Sequence, residues 1–285
     1  MGKSYWQFFA SPLILLELRL NGDVESGKKG RIIMKTVDLS ATIEPSPEST
    51  PDFLKIGIAY HSHADGAAQV ENLLRVPAEL FRNGEGWATE TITRLGTHDS
   101  THVDAPVHYN STIQGERAMA IDELPLEWFF SDGVKLDMTS KDEGDPVTTE
   151  EVKAELSRIG YELKPLDIVL MHTGRDRYYG KPDYIFKGCG VTADATRWLY
   201  GHGIRVMGID AWGWDAPLNL QAEQALEKNE KGIFWAAHQA DLQYSHMERL
   251  CNLESLPAHG FRVACFPLKI KGASAGPARV VAILP

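Results

Sequence analysis

The sequence predicts an α/β fold, because short strand-like runs alternate with helix-like runs along most of the chain. Two further observations support this. The run Asp167-Ile-Val-Leu-Met-His-Thr173 is almost continuously apolar, as a strand covered on both faces would be. Strand-like runs also end in polar clusters: Leu170 leads into His172-Thr173-Gly174-Arg175, and Ile209 into Asp210-Ala-Trp212. Ligands of such sheets bind beyond the carboxyl ends of the strands.

The elements follow in order. Residues 35–39 read as a first strand. Residues 66–81 carry Val70, Leu73, Leu74 and Leu80 at helical spacing, and Pro77 inside the run must mark an end, a kink or a new first turn. Residues 87–95 alternate Thr and Ile, as a strand does. Leu95-Gly96-Thr97 reads as a turn, with Thr97 as the cap of a short helix that holds His98 and His102 and stops before Pro106. Residues 134–138 read as a strand and 139–146 as a polar loop. Thr148 or Thr149 caps a helix running to Ile159, with Glu150 and Glu151 where the helix dipole favours acids. Thr192 caps a helix over 193–201, and a strand over 205–210 follows at once. Residues 262–266 and 279–284 read as closing strands.

Composition narrows the function classes. A net charge of −10 provides no basic face for a phosphate backbone and no polybasic signal for anionic lipid, so neither nucleic acid nor membrane is an expected partner. Cys189, Cys251 and Cys265 show no paired spacing, which points away from a thiolate metal site and toward buried free thiols in a reducing cytoplasm. The apolar run over 5–20 is broken by Glu17 and Arg19, and no small-residue cleavage motif follows closely. Gly22, Gly27 and Gly30 make 21–31 read as a linker. Residues 1–33 are therefore expected to be an N-terminal extension outside the core, and 34–285 the main domain.

One short window dominates the chemistry: His98-Asp-Ser-Thr-His102-Val-Asp104-Ala-Pro-Val-His108. The chain has 10 His, and three of them fall here beside two carboxylates. A lone His is commonly a satisfied polar group, but this density of imidazole and carboxylate matches the ligands that zinc, manganese and iron accept. On a helix, His98 and His102 would share one face, with Asp104 swinging back from just past its end. Asp99 reads as a solvated helix residue. A second polar cluster downstream contains His238, His246 and Glu248. Trp212 and Trp214, after a strand end, and Arg175 are candidate substrate-binding residues; Arg175 could equally pair with Asp176 or Asp183. His61 and His63 read as loop residues.

The 98–108 window resembles the signature of the cyclase-like metal hydrolase superfamily, which includes bacterial kynurenine formamidases and isatin hydrolases. Glu248-Arg-Leu-Cys-Asn-Leu-Glu-Ser-Leu-Pro257 resembles its E-x-L-x-N-L-x-x-L-P segment, and Phe266-Pro267-Leu-Lys269 with 273–276 its closing segment. The resemblance runs from about Val37 to Leu284. It implies a swivelling β/β/α single domain, a homodimer or homotetramer, and one or two zinc or manganese ions per chain. His98 and His102 would bind one metal, Asp104 and Glu248 would bridge, His238 would bind the second, and His108 would transfer protons. Ser100 stands where the family usually has Gly. His238 and Glu248 are ten residues apart, closer than expected, which leaves His246 as a rival to His238. The implied activity is metal-dependent hydrolysis of a small amide, aryl formamide or cyclic amide. The alternatives are lactone hydrolysis, cyclisation or dehydration on the same metals, or non-catalytic metal binding.

Overall fold

The computed structural model describes residues 34–48 and 50–285. The expected extension over 1–33 lies outside the described residues. Along the chain run β1 (Lys35–Asp38), β2 (Gly57–His61), α1 (His63–Leu74), β3 (Thr89–Arg94), β4 (His102–Asp104) and α2 (Pro106–Tyr109). The hairpin strands β5 (Thr112–Ile113) and β6 (Glu116–Arg117) precede β7 (Phe130–Asp137), α3 (Thr149–Ile159), β8 (Ile168–His172) and α4 (Ala193–Gly201). Then come β9 (Val206–Ile209), α5 (Leu218–Lys228), β10 (Ser245–Glu248), β11 (Phe261–Ala264), β12 (Ala275–Pro277) and β13 (Val281–Leu284).

Nine strands form one mixed sheet in the order β1-β13-β11-β7-β8-β9-β10-β4-β12. Its centre, β7-β8-β9-β10, is parallel, with α3, α4 and α5 as the crossovers that parallel neighbours require. Antiparallel strands flank both sides. Alternation sorts the apolar residues to two faces. Val169, Met171, Met207 and Ile209 join the side chains of α3 and α4 in one cluster. Ile168, Leu170, Val206, Val103 and Met247 join the opposite one, with Phe261 and Val263. This is the mixed α/β single-domain architecture the sequence predicts. No helix among the described residues is long and apolar enough to cross a membrane.

Several local expectations need correction. Residues 98–101 form turns and bends, and His102 opens a strand; there is no helix over 98–102. Ser100 explains the reversal: its φ is 56°, a left-handed residue that breaks any helix. The helix expected over 66–81 is α1, which starts earlier, under a Ser62–Asp65 capping box, and stops at left-handed Arg75; Pro77 lies beyond it. His61 ends β2 and His63 opens α1, so neither is a loop residue. Cys189 and Cys265 are buried, but Cys251 is only half-buried.

Candidate metal centre

The site is made by two adjacent antiparallel strands. Glu248 on β10 pairs across from His102 on β4, and Met247 from Val103. Side chains alternate along a strand, so His102 and Asp104 share a face, as do His246 and Glu248. Val103 and Met247 turn the other way into the apolar cluster. The four polar side chains therefore meet on one face of the sheet, fixed by the ladder itself.

Turns and loops bring the remaining groups. The left-handed Ser100 turn returns His98 over β4, placing its Nε2 3.4 Å from Asp104 Oδ1. His102 Nε2 lies 3.2 Å from the same oxygen and 3.6 Å from Glu248 Oε2. On the other side, His246 Nε2 lies 3.1 Å from Asp104 Oδ2 and 3.2 Å from Glu248 Oε1. His238 Nε2 faces the same two atoms at 3.8 and 3.6 Å. The two carboxylates thus offer one oxygen to the His98–His102 side and one to the His238–His246 side. His238 and His246 are not rivals in space; they converge on one cradle.

Each imidazole is oriented through its far nitrogen. His102 Nδ1 donates to the Ser100 carbonyl at 3.0 Å, and His238 Nδ1 to Asp215 Oδ2 at 2.6 Å. Tyr244 donates its hydroxyl hydrogen to the Ala237 carbonyl, so its oxygen is free to accept from His246 Nδ1 at 3.2 Å. Tyr109 lies 3.2 Å from the same nitrogen. Such bonds put the ring proton on Nδ1 and leave the Nε2 lone pair facing inward.

That inward set has no protein partners. His98 Nε2, His102 Nε2, His246 Nε2 and both Asp104 oxygens are buried without a hydrogen bond among the described residues. A fully buried carboxylate left bare is strongly unfavourable, and a divalent cation is what imidazole and carboxylate donors together accommodate. The donor set therefore fits a bound metal. Without an ion, the carboxylates and imidazoles hold one another charged. Burial opposes ionisation of Asp104, yet the imidazoles of His102 and His246 hold it well below the usual carboxylate range. Burial likewise opposes ionisation of Glu248, and the His246 and His238 imidazoles beside it together outweigh that, holding the acid at about 2. His246 is lifted to about 9 because the two carboxylates overcome its burial. At His108 burial outweighs the attraction of Asp104 and Glu248 and pushes the imidazole down to about 4.

A cavity of about 140 Å³ opens onto the cluster, walled by Trp212, Trp235, His108, Ile185, Lys187 and Arg249. His108 sits in α2, started by Pro106, with Nε2 3.8 Å from Asp104 Oδ2 and its ring 5.0 Å from Trp235. Trp235 lies flat on His238, at 4.6 Å and 3°. Trp212 lines the cavity, but Trp214 does not. Its side chain is fully buried, stacked behind His246, and its indole donates to Thr196. Arg175 also lies away from the cavity. It donates to the carbonyls of Thr173 and Lys141 and pairs with Glu143, not with Asp176 or Asp183. Asp99 is buried rather than solvated, accepting from the Gly96 amide at 2.6 Å. His63 bonds the Gly86 carbonyl and is exposed, outside the cavity lining. Asp215, Tyr109, Tyr244 and Arg249 are the groups that sequence reasoning missed. Asp215 lies 23 positions from His238, a separation that carries no motif.

A family model described as "Putative cyclase" matches residues 37–216. Among solved structures, an isatin hydrolase bound to the product analogue thioisatinate superposes with a TM-score of 0.66 at 24% identity, covering 88% of this chain and 93% of that one. Isatin hydrolase A from Ralstonia solanacearum gives 0.66 at 22% identity, covering 88% and 92%. A potential metal-dependent hydrolase with cyclase activity gives 0.58 at 20% identity, covering 89% and 99%. No curated protein matches the sequence.

Proposed function

Because the chain belongs to the putative cyclase family, we propose that it is a metal-dependent hydrolase that cleaves the C–N bond of a small amide, aryl formamide or cyclic amide. The observation that carries this reading is the double cradle: Asp104 and Glu248 each divide their oxygens between two pairs of inward-facing imidazoles. His98 and His102 would hold one ion, His238 and His246 a second, with the two carboxylates bridging. Zinc and manganese both suit imidazole and carboxylate without thiolate. A bound divalent ion supplies water with a pKa near 7, lowered from about 15.7, and polarises a carbonyl. The isatin hydrolases that share the fold support a cyclic amide as one substrate class.

The chain's own residues do the rest. His108 is held neutral by burial, so its imidazole can accept a proton from water as the water oxygen adds to the amide carbonyl carbon. It can then donate that proton to the departing nitrogen, which is a poor leaving group without one. Trp235 packs against both His108 and His238 and keeps bulk water from this face.

Elemental analysis of purified protein is the first test; one or two tightly held zinc or manganese ions per chain are expected. His108→Ala should keep its metal and lose about 10²- to 10⁴-fold in kcat on formamides or cyclic amides. Purified wild type devoid of divalent metal would sink the proposal, and full turnover by the His108→Ala protein would remove the proton role.

A further inference from the structure

The cavity wall contains a cation with no counter-ion. Arg249 directly follows Glu248 at the end of β10, with a left-handed φ of 58° that L-residues rarely adopt. The turn is held from both sides: the Arg249 amide donates to the Ala211 carbonyl at 2.9 Å, and its carbonyl accepts from Thr101 Oγ1 at 2.6 Å. The side chain is thereby laid on Trp212, with the guanidinium carbon 3.7 Å from the ring centre. Arg249 is only 7% exposed, and its Nε is buried and bare. Among the described residues no carboxylate comes within ion-pair distance and no acceptor takes a hydrogen bond from this side chain. A buried guanidinium is normally paired. Arg175, equally buried, shows the normal case, with two carbonyls and Glu143 around it.

Two neighbours reinforce the positive character. Lys187 lines the same cavity, with its ammonium 3.7 Å from Asp183. So do Pro217 and Leu218 at the start of α5, an eleven-residue helix whose N-cap offers no side-chain bond. Its positive dipole end is thus open to the cavity. The acids at the cavity are already engaged. Asp215 accepts from Ala237, from the His238 amide and from the His238 ring, while Glu248 accepts from the Trp214 amide and faces the imidazoles.

We propose that Arg249 is the specificity-determining residue of this cavity, and that the substrate is a one-ring amide carrying a carboxylate that seats against Arg249 and Trp212. This rests on the amide-hydrolase reading above. The planar fork of a guanidinium matches a carboxylate in a bidentate pair, and the indole face beneath it favours a planar ligand. A cavity of about 140 Å³ is close to the size that holds a benzene-sized ring.

Formanilide and the 2-, 3- and 4-formamidobenzoates differ only by the carboxylate and its position. The test compares their kcat/KM in metal-loaded wild type, Arg249→Gln and Arg249→Lys. For the preferred isomer, the ratio of carboxylated to neutral substrate should fall about 10- to 100-fold in Arg249→Gln. Arg249→Lys should recover part of it, keeping the charge without the fork. A ratio within each protein is insensitive to the fraction folded. An unchanged ratio in Arg249→Gln, which a purely structural Arg249 would give, overturns the proposal. Calorimetric titration with the matching aminobenzoate gives a second readout, with the dissociation constant expected to rise at least tenfold in Arg249→Gln. Arg249-dependent aminobenzoate binding without hydrolysis of any amide would leave the anion site standing and remove the amidase reading. Hydrolysis with an Arg249-independent ratio would do the reverse.

Discussion

Two dipeptide steps decide the site: His102 to Asp104 on one strand, and His246 to Glu248 on its neighbour. The density of imidazoles in the 98–108 window is legible in the sequence, and so are the individual residues. Their geometry is not. An i,i+4 spacing of His98 and His102 fits a helical face, and nothing in the residues themselves announces that Ser100 will adopt a left-handed φ. A Ser there retains a compensation that Gly would lack, since its Oγ donates to the Ala41 carbonyl at 3.1 Å. The orienting residues are also invisible at this scale. Asp215 accepts a hydrogen bond from His238 Nδ1 at 2.6 Å and also accepts the Ala237 and His238 amides, fixing both the ring and the loop that carries it. Asp215→Asn removes the charge that anchors the ring, so metal affinity should fall about 10- to 100-fold. Competition with a chromogenic chelator measures it; unchanged affinity would mean that the ring is held by Trp235 packing alone.

Elements with strong end signals were legible. Thr148 and Glu151 form the capping box that starts α3, and Thr192 caps α4. The apolar run of β8 lies at the sheet centre. Elements built around chemistry were not. Strand β10 reads Ser-His-Met-Glu, so polar side chains occupy the positions where an apolar face would signal a strand. Helix α5 begins after Pro217 with no capping side chain. A separate acidic contact ties α3 to the sheet. Glu155 is 8% exposed, accepts from the Asp137 amide at 2.9 Å, and takes two bonds of 2.6 Å from Arg158. The Arg158 hydrogen bonds hold its carboxyl below the ordinary 4.5. A depressed folded-state value stabilises above the unfolded value and loses that stabilisation as pH falls through the folded one. Glu155→Gln should therefore cost about 1 kcal/mol at pH 7, since Arg158 is largely solvated, and almost nothing well below pH 4.5. Urea unfolding at both pH values tests this, and a cost that does not depend on pH would assign the effect to packing.

At the scale of the molecule, the helix-covered face of the sheet holds the polar cluster, and the opposite face is apolar around it. The α/β class and the strand alternation were legible from patterning; the position of the site was not, because its carboxylates and imidazoles lie on the face of β4 and β10 rather than beyond strand ends. The nine-strand order was not, because β4, β10 and β12 are short and pair with partners far away in sequence. Bare carboxylate and imidazole at the centre of the fold should make stability depend on the ion. At metal concentrations about 100-fold above the dissociation constant the folded state gains about 2.7 kcal/mol. For a domain of this size that corresponds to roughly 5–10 °C in melting midpoint. Chelation should remove that increment from wild type, and Asp104→Asn should not respond to metal or chelator. Identical midpoints for stripped and loaded wild type would contradict the assignment.

The pairing of β4 with β10 has a consequence for biosynthesis. Tyr109 and the His246 ring that it supports are 137 positions apart, with the parallel core threaded between them. A nascent chain leaving the ribosome exposes one half of the chelating set long before the other half is translated. Capture of an ion would then wait for the crossovers to dock, so that only polypeptides with a completed central sheet would become loaded.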